Sequence, residues 1–317
     1  MDKNNFIKQL KNVGIEDVSE VGGKNASLGE MIKNLTPKGI KIPGGFAATA
    51  SAYRYFLEET GLKNFIRKTL NGLNTKNLKD LSKRGKLIRE TIKNAEFPND
   101  LKESIIKAYS EMEKEYGKNV DVAARSSATA EDLPGASFAG EHETYLNIRG
   151  SDEVLKAVKS AMASLFTDRA ISYRVDKKFD HFKVALSVGV QKMIRSDLSC
   201  SGVMFTLDTE SGFRDIVLIN GSWGLGEMIV QGEVTPDEFL IFKPKLNISI
   251  NQSNQYQSAF TPIISKKLGI KNQKMIYSEG RGVSIKNTKI INTSQKEKES
   301  FVLSEKEILQ LAKWGVL

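Results

Sequence analysis

The chain has 317 residues, of which 40% are hydrophobic and 27% charged, so it is long enough for one large or two ordinary globular domains. Its start is polar, and no stretch approaches the roughly 18 uninterrupted apolar residues that a membrane span needs. Cys200 is the only cysteine, which excludes an intrachain disulfide and fits a reducing compartment. We therefore expect a cytoplasmic protein with no membrane partner.

The net charge of +9 raises the question of an anionic partner. The lysines are scattered over amphipathic segments such as residues 63–93 and are not clustered with aromatic residues. A solvated basic surface is therefore favoured over nucleic-acid binding, and no nucleic-acid partner is expected. Whether the chain binds phosphate groups must therefore be judged from its individual motifs.

Helical periodicity dominates the first third of the chain. Apolar residues recur at helical spacing over residues 25–35, and further helices are predicted over 51–62, 78–95 and 99–116. The last two are expected to pair as a hairpin.

Strands are predicted from Asp121 onward. VDVAAR and ETYLNI are typical strands, joined by the loop RSSATAEDLPGASFAG, which is rich in small residues. A helix with Ser151 as its N-cap follows, and another helical stretch carries Arg169 and Arg174. Further strands are predicted from VALSVGVQKMI, SGVMFTLDT, DIVLING and DEFLIFKP.

The last quarter is predicted to form an exposed meander over residues 245–300, followed by a helix. Ser304 and Glu307 have the spacing of a capping box at the start of that helix. The mixed order of elements along the chain predicts an α+β fold with largely antiparallel sheets.

The motif VGGKNASLGEM places two glycines and Lys24 before a helix. Backbone N–H groups and the helix dipole can face an anion there, and Lys24 adds a full charge. An ordinary turn with a solvated lysine is the commoner use of such a pattern, and the spacing is not that of a Walker A loop. The motif alone leaves both interpretations open.

A second motif, AARSSATAEDLPGASFAG, puts Arg125 at the end of a strand and follows it with the hydroxyls of Ser126, Ser127 and Thr129. A guanidinium with nearby hydroxyl donors can grip phosphoryl oxygens, and a loop of small residues can fold over them. An ordinary polar hairpin loop is an equally good interpretation.

Gln191 and Met193 alternate along a predicted strand and share one face, where an amide and a thioether could hold an adenine. Acidic residues among glycines could bind Mg²⁺, although turn and capping roles are more frequent; they are Asp208, Glu210, Glu227, Asp237 and Glu238. His142 and His181 lack a supporting pattern, so we expect structural roles for both.

In combination the motifs resemble phosphoenolpyruvate synthases. The resemblance rests on GGKNASLGEM, IPGGFA, ARSSATAEDLPGASFAG with ETYLN, SLFTDRAISYR, SGVMFTLDTESG, and SWGLGEMIVQG with PDEF, in the order found in the family. It implies an ATP-grasp fold that binds Mg-ATP between two subdomains with mixed or antiparallel sheets. We expect these subdomains over residues 1–194 and 195–317, the second incomplete at its C-terminus.

The resemblance also implies which residues bind the nucleotide. Lys24 and Arg125 would contact the ATP phosphates and act as the catalytic residues by stabilising charge during phosphoryl transfer. Thr129 would lie in a covering loop, and Gln191 and Met193 on the adenine side. Arg169 and Glu227 also fall in matching motifs, and we expect them in the ATP site.

The family reaction, that of a pyruvate, water dikinase, converts ATP, pyruvate and water to AMP, phosphoenolpyruvate and phosphate through a phosphohistidine. That histidine lies on a separate domain and pyruvate binds in a barrel domain; neither is expected in this sequence, and the family's acidic metal ligand is expected beyond Leu317. The chain alone is thus expected to lack turnover. Two alternatives are a non-catalytic nucleotide-binding fragment and the ATP-binding domain of a rifamycin phosphotransferase.

Overall fold

The computed structural model describes residues 5–129, 144–246, 261–278 and 287–317. The chain divides into two compact units. Unit 1 comprises residues 1–193 and 280–287, and unit 2 comprises residues 194–279 and 288–317. Within the described ranges, none of the helices combines the length and the apolar character that crossing a bilayer requires.

Unit 1 is built on a five-stranded antiparallel sheet. Its strands are β1 (Ile7–Gln9), β2 (Gly45–Ala48), β3 (Val122–Ala128), β4 (Thr144–Ile148) and β5 (Leu186–Lys192). Its helices are α1 (Val18–Leu35), α2 (Ala50–Glu59), α3 (Leu62–Leu70), α4 (Leu78–Asn94), α5 (Asn99–Tyr116), α6 (Ser151–Ala163) and α7 (Asp168–Asp176). The strand order β1-β2-β5-β3-β4 puts β5 between β2 and β3.

The two faces of this sheet carry different helices. Val122 and Ala124 of β3 point into the main hydrophobic core, which also contains buried residues of α2 to α7. On the other face Ala47 of β2 packs in a smaller cluster with Val21 and Ala26 of α1. Because side chains alternate along a strand, Arg125 lies on the α1 face.

Two expectations about the helices of unit 1 are wrong. The predicted hairpin of α4 and α5 is replaced by packing of α6 against both of them. The reason is the composition of α6, in which eight of the thirteen residues are buried, so that this helix needs neighbours on several sides. Ser151 is not the N-cap of α6 either; that position belongs to Gly150, whose φ of +83° favours glycine.

Unit 2 contains a four-stranded antiparallel sheet and a separate hairpin. The sheet consists of β6 (Cys200–Phe205), β7 (Ile216–Trp223), β8 (Asp237–Phe242) and β9 (Ile263–Lys267), and the hairpin of β10 (Gln273–Tyr277) and β11 (Thr288–Asn292). The helices are α8 (Glu227–Val230), α9 (Gln295–Glu299) and α10 (Glu305–Val316). Ile308 and Ala312 of α10 pack on the sheet beside Ile219. The capping box of Ser304 and Glu307 is confirmed at the start of α10.

A buried ion pair joins distant parts of unit 2. Asp237 and Lys271 are both fully buried, and the ammonium of Lys271 donates to Asp237 Oδ1. The same carboxylate accepts the backbone N–H groups of Gly269 and Val302, each at 2.8 Å. Asp237 therefore has a structural role, and its oxygens are not available as metal ligands.

The α+β prediction agrees with the helices and antiparallel sheets of the described residues. The strand that begins near Asp121 is longer than predicted. β3 continues through Ser126 and Ser127, which pair with Val188 and Ser187 of β5. Interstrand pairing extended the strand into a segment whose composition predicted a loop.

Candidate functional site

The path of α1 breaks at Gly22, which has φ +74° and ψ 163°. A Cβ atom there would stand closer than 3.0 Å to both the hydroxyl and the carbonyl oxygen of Ser127 on β3. Glycine is therefore needed for the positive φ and also for the close approach to the strand. The helix resumes directly after the break, so Lys24 lies in its first turn, where free N–H groups and the helix dipole favour an anion.

Arg125 is the one exposed residue of the otherwise buried strand β3. It pairs with Gly189 on β5 and with Thr144 on β4. Ser127, which touches Gly22, is two residues further along the same face. Arg125 and the exposed Lys24 therefore lie on the same side of the sheet of unit 1.

Gln191 also belongs to this face, because it pairs with Ala123, two positions before Arg125. Its side chain is half-buried, and its amide donates to the carbonyl oxygen of Pro43 at 3.0 Å. The bond holds the amide at one end of β5. The structure thus brings Lys24, Arg125 and Gln191 onto one face.

Met193 follows the last residue of β5 and is held by several bonds. Its N–H donates to the carbonyl oxygen of Asp121 at 3.0 Å, and its own carbonyl accepts from the ammonium of Lys192 at 2.7 Å. Its sulfur accepts the N–H of Asn147 at 2.9 Å. Asn147 has an unusual φ of +53° and donates from its side chain to the carbonyl oxygen of Asn287 at 3.3 Å. The thioether is therefore fixed beside the point where the chain leaves unit 1.

Thr129 is the last described residue before the gap at 130–143. Its N–H and its hydroxyl both donate to the carbonyl oxygen of Ala185, at 3.0 and 3.1 Å. The rest of the predicted covering loop and His142 lie outside the described residues.

Arg169 and Glu227 are not brought to this face by the packing of unit 1. Arg169 is exposed on α7, and α7 packs against α4 in the layer on the opposite face of the sheet. Glu227 opens α8 in unit 2, where its carboxylate accepts from the side-chain amide of Gln231 at 3.1 Å.

His181 accepts a hydrogen bond at Nδ1 from Nε of Arg174, at 2.9 Å. Arg174 is fully buried, donates to the carbonyl oxygen of Leu165 at 2.6 Å and lies over the ring of Phe166. Burial, with the neighbouring guanidinium, lowers the pKa of His181 from 6.5 to about 4. The ring is neutral at pH 7 and acts as an acceptor for a buried arginine, which is a structural role.

The described residues contain no cluster of three or more His, Cys, Asp or Glu side chains able to hold a metal ion. Asp208 accepts from the hydroxyl of Ser211 and from the N–H of Glu210, which closes a turn. The bond from Ser211 holds the pKa of Asp208 below its usual value. Like Asp237, this carboxylate is occupied by structural hydrogen bonds.

Residues 18–317 match the family described as "Pyruvate phosphate dikinase, AMP/ATP-binding domain". The chain belongs to this family. It is 56% identical to a phosphoenolpyruvate synthase of Aquifex aeolicus, over 98% of this chain and 35% of the relative. It is 50% identical to one of Synechocystis (98% and 37%) and 47% identical to one of Escherichia coli K12 (96% and 37%).

The resemblance to phosphoenolpyruvate synthases is therefore confirmed over nearly the whole chain. The chain spans just over a third of the length of these relatives. Lys24 and Arg125 are two basic residues that the fold places on the same face of unit 1.

Sequence reasoning missed two asparagines next to this face, Asn25 and Asn147. Asn25 follows Lys24 and is buried inside a helix, where an asparagine is unfavourable unless it has polar partners. The signal available in the sequence was an asparagine on the apolar face of a predicted helix. Its partner Ser187, 162 residues away in the chain, could not be read from it.

Proposed function

We propose that this chain is the ATP-binding part of a phosphoenolpyruvate synthase and that its two units form an ATP-grasp fold. The observation that carries the proposal is the placement of Lys24 and Arg125 on one face of unit 1. Lys24 lies in the first helical turn after the break at Gly22, and Arg125 is the exposed residue of a buried strand. The names of the relatives favour this function over the rifamycin phosphotransferase alternative.

In this proposal Lys24 and Arg125 bind the phosphate groups. A guanidinium offers a planar fork of donors to two phosphoryl oxygens, and an ammonium adds a compact charge that can follow the group being transferred. Both side chains extend from regular secondary structure, which helps to place their charges near the phosphoryl oxygens on which negative charge develops. Thr129 would anchor the covering loop through its two bonds to Ala185.

The adenine would lie near Gln191 and Met193, at the end of β5 that faces away from Thr129. Both side chains are held by hydrogen bonds within unit 1, so a base would meet a preformed surface. Arg169 and Glu227 remain proposed ATP-binding residues on their motifs alone.

The complete reaction proposed is the conversion of ATP, pyruvate and water to AMP, phosphoenolpyruvate and phosphate. A phosphohistidine domain and a pyruvate-binding barrel would be supplied by the remaining length that the relatives have and this chain does not span. Binding of ATP is the step proposed for the residues described here, and the chain alone should form no phosphoenolpyruvate from pyruvate.

Mg²⁺ is proposed to arrive with the nucleotide. Mg²⁺ in phosphoryl-transfer sites is usually held by one or two carboxylates together with substrate phosphates. Among the described acidic residues, Asp208 and Asp237 are already engaged in structural bonds. No step of the reaction is assigned to a metal ligand of this chain.

The test is isothermal titration calorimetry of the 317-residue chain with ATP and Mg²⁺. Lys24→Ala and Arg125→Ala should each weaken binding about tenfold or more, which corresponds to about 1.4 kcal/mol or more for each lost contact. Matched controls are Lys79→Ala on α4 and Arg54→Ala on α2, two exposed residues away from this face. Failure of the unaltered chain to bind ATP, or equal effects in all four variants, would refute the proposal.

A further inference from the structure

Asn25, the residue after Lys24, is a buried polar side chain at the start of the resumed helix, with 5% of its surface exposed. Its side-chain amide donates to the carbonyl oxygen of Val21 at 2.9 Å, across the break in α1. The same amide nitrogen donates to the hydroxyl of Ser187 on β5 at 3.2 Å. One side chain therefore joins the two sides of the helix break and fastens them to the sheet.

The bond to Ser187 continues into the sheet. The hydroxyl of Ser187 accepts from Asn25 and donates to the carbonyl oxygen of Ala48 on β2 at 2.8 Å. All three groups are buried, where hydrogen bonds are not weakened by competing water. The first turn after the break in α1 is thus tied to two neighbouring strands.

Gly189 of β5 is in close contact with the side chain of Asn25. A Cβ atom at Gly189 would come closer than 3.0 Å to Oδ1 of Asn25, and the nearest atoms around that Cβ all belong to Asn25. Gly189 is also the residue directly opposite Arg125 in the β3–β5 ladder. The side chain of Asn25 is therefore in contact with the backbone unit that pairs with Arg125.

Lys24 stands between two such contacts with the sheet. On one side Gly22 presses against Ser127, two residues after Arg125 on the same strand. On the other side Asn25 presses against Gly189. The backbone of Lys24 is fixed at both ends to the strand pair that carries Arg125.

We infer that Asn25 is a positioning residue that sets the distance and direction of Lys24 relative to Arg125, so that both can engage the same chain of phosphates. This inference rests on the proposed function, because it assigns Asn25 to the nucleotide site of unit 1. Without Asn25 the turn after the break loses its side-chain hydrogen bonds to Val21 and Ser187, and the Lys24 backbone can move relative to β3. The adenine side at Gln191 and Met193 does not depend on this contact.

The expected signature is a selective loss of affinity for polyphosphate. ATP and AMP share the adenosine part and differ in the phosphates. Asn25→Ala should raise the dissociation constant of ATP about tenfold and that of AMP by less than about twofold, so the ratio between the two nucleotides changes. A merely structural role would weaken both nucleotides by the same factor.

The control is Asn34→Ala in the same helix. Asn34 donates to the carbonyl oxygen of Glu30 at 2.9 Å, the same i to i−4 bond that Asn25 makes to Val21, but it is exposed and lies on the solvent side. Its removal should leave both dissociation constants unchanged. Equal effects of Asn25→Ala and Asn34→Ala on the nucleotide ratio would overturn the inference.

A double-mutant cycle with Gly189→Ala tests the contact itself. The new methyl group should displace Asn25 and reproduce the selective loss of ATP affinity, whereas in the Asn25→Ala background it should add little. Ser187→Ala, which removes one hydroxyl, is the milder variant if Asn25→Ala lowers the yield of folded protein, and it should shift the ATP to AMP ratio in the same direction.

Three outcomes separate the possibilities. An unaltered chain that binds no ATP refutes the proposed function and the inference with it. An unaltered chain that binds ATP, with variants that change ATP and AMP affinity equally or not at all, overturns the inference alone. Additive effects of Asn25→Ala and Gly189→Ala on the ATP dissociation constant would also overturn it, because groups in contact should be coupled.

Discussion

Mild acid should destabilise unit 1 through a single imidazole, that of His181. In the folded chain its Nδ1 accepts a hydrogen bond from buried Arg174, and its pKa is lowered from 6.5 to about 4, by burial first and by the guanidinium second. Protonation of Nδ1 would remove that acceptor and place a second positive charge beside the first. The folded state therefore resists protonation while the unfolded state does not.

The sign and size of the effect follow from the two pKa values. Because the folded pKa is the lower one, the stabilisation is complete above pH 6.5 and is lost as the pH falls from 6.5 towards 4. At pH 5 a fully shielded imidazole with these values would cost about 2 kcal/mol of the free energy of unfolding. His181 keeps some contact with solvent, so screening reduces the expected loss to about 1 kcal/mol.

The assay is urea unfolding at pH 7, 6 and 5, followed by far-ultraviolet circular dichroism, which reports mainly on the helices α1 to α7 of unit 1. His181→Asn is the matched variant, because its Oδ1 can accept from Arg174 and does not titrate. Its unfolding free energy should change less between pH 7 and 5 than that of the unaltered chain. Trp223 and Trp314 both lie in unit 2, so tryptophan fluorescence provides an internal control.

Parallel pH profiles of the unaltered chain and of His181→Asn would refute this reasoning. A direct check is the histidine resonance in an NMR titration, assigned by its loss in the variant, since the chain has two histidines. A midpoint near 6.5 in place of about 4 would contradict the shielding of the imidazole described above.

Three other substitutions test backbone and ion-pair features, each by urea unfolding. Gly22→Ala should lower the free energy of unfolding by about 3 kcal/mol and Gly39→Ala by about 1 kcal/mol. Both glycines have positive φ, but of the two only Gly22 lacks room for a Cβ atom. Equal losses would contradict the packing of Gly22 on β3. Lys271→Met should lower the free energy of unfolding, measured by tryptophan fluorescence, by about 3 kcal/mol or more, because it removes the cation paired with the buried carboxylate of Asp237. Lys266→Met removes an exposed ion pair and should lower it by less than about 1 kcal/mol. At Asn147, alanine should be less stable than glycine by about 1 kcal/mol although the residue lies in a strand, because its φ is +53°; a more stable alanine variant would show that the left-handed conformation carries no cost.

Local signals in the sequence were sufficient for most of the elements. The capping box of Ser304 and Glu307 involves atoms three residues apart, so it could be read directly and is confirmed. The error in pairing α4 with α5 could not be foreseen, because α6, which packs against both helices, comes later in the chain and buries most of its residues. Adjacency in sequence indicates adjacency in space only when no third element competes for the same apolar face.

The sequence motifs indicated the candidate site, but the chemistry of each motif taken alone did not identify it. Lys24 after two glycines is more typical of a solvated turn, and what distinguishes it is the contact of Gly22 with Ser127, about a hundred residues away. The role of Asp237 could not be predicted from its motif either. It could be regarded as a metal ligand or a structural group, and its partner Lys271 lies 34 residues further on in a region without a motif.

The return of the chain to unit 1 at residues 280–287 affects how that unit can be made. The hydrogen bond from Asn147 to Asn287 spans 140 residues, so it cannot form on the ribosome until Asn287 has been synthesised. The contact between Asn147 and Met193 therefore lacks this further hydrogen bond while β6 to β9, the strands of the second sheet, are translated. A gene shortened to the first 193 codons would encode the α1 face with its Lys24 and Arg125, yet it would omit the acceptor that the Asn147 amide needs.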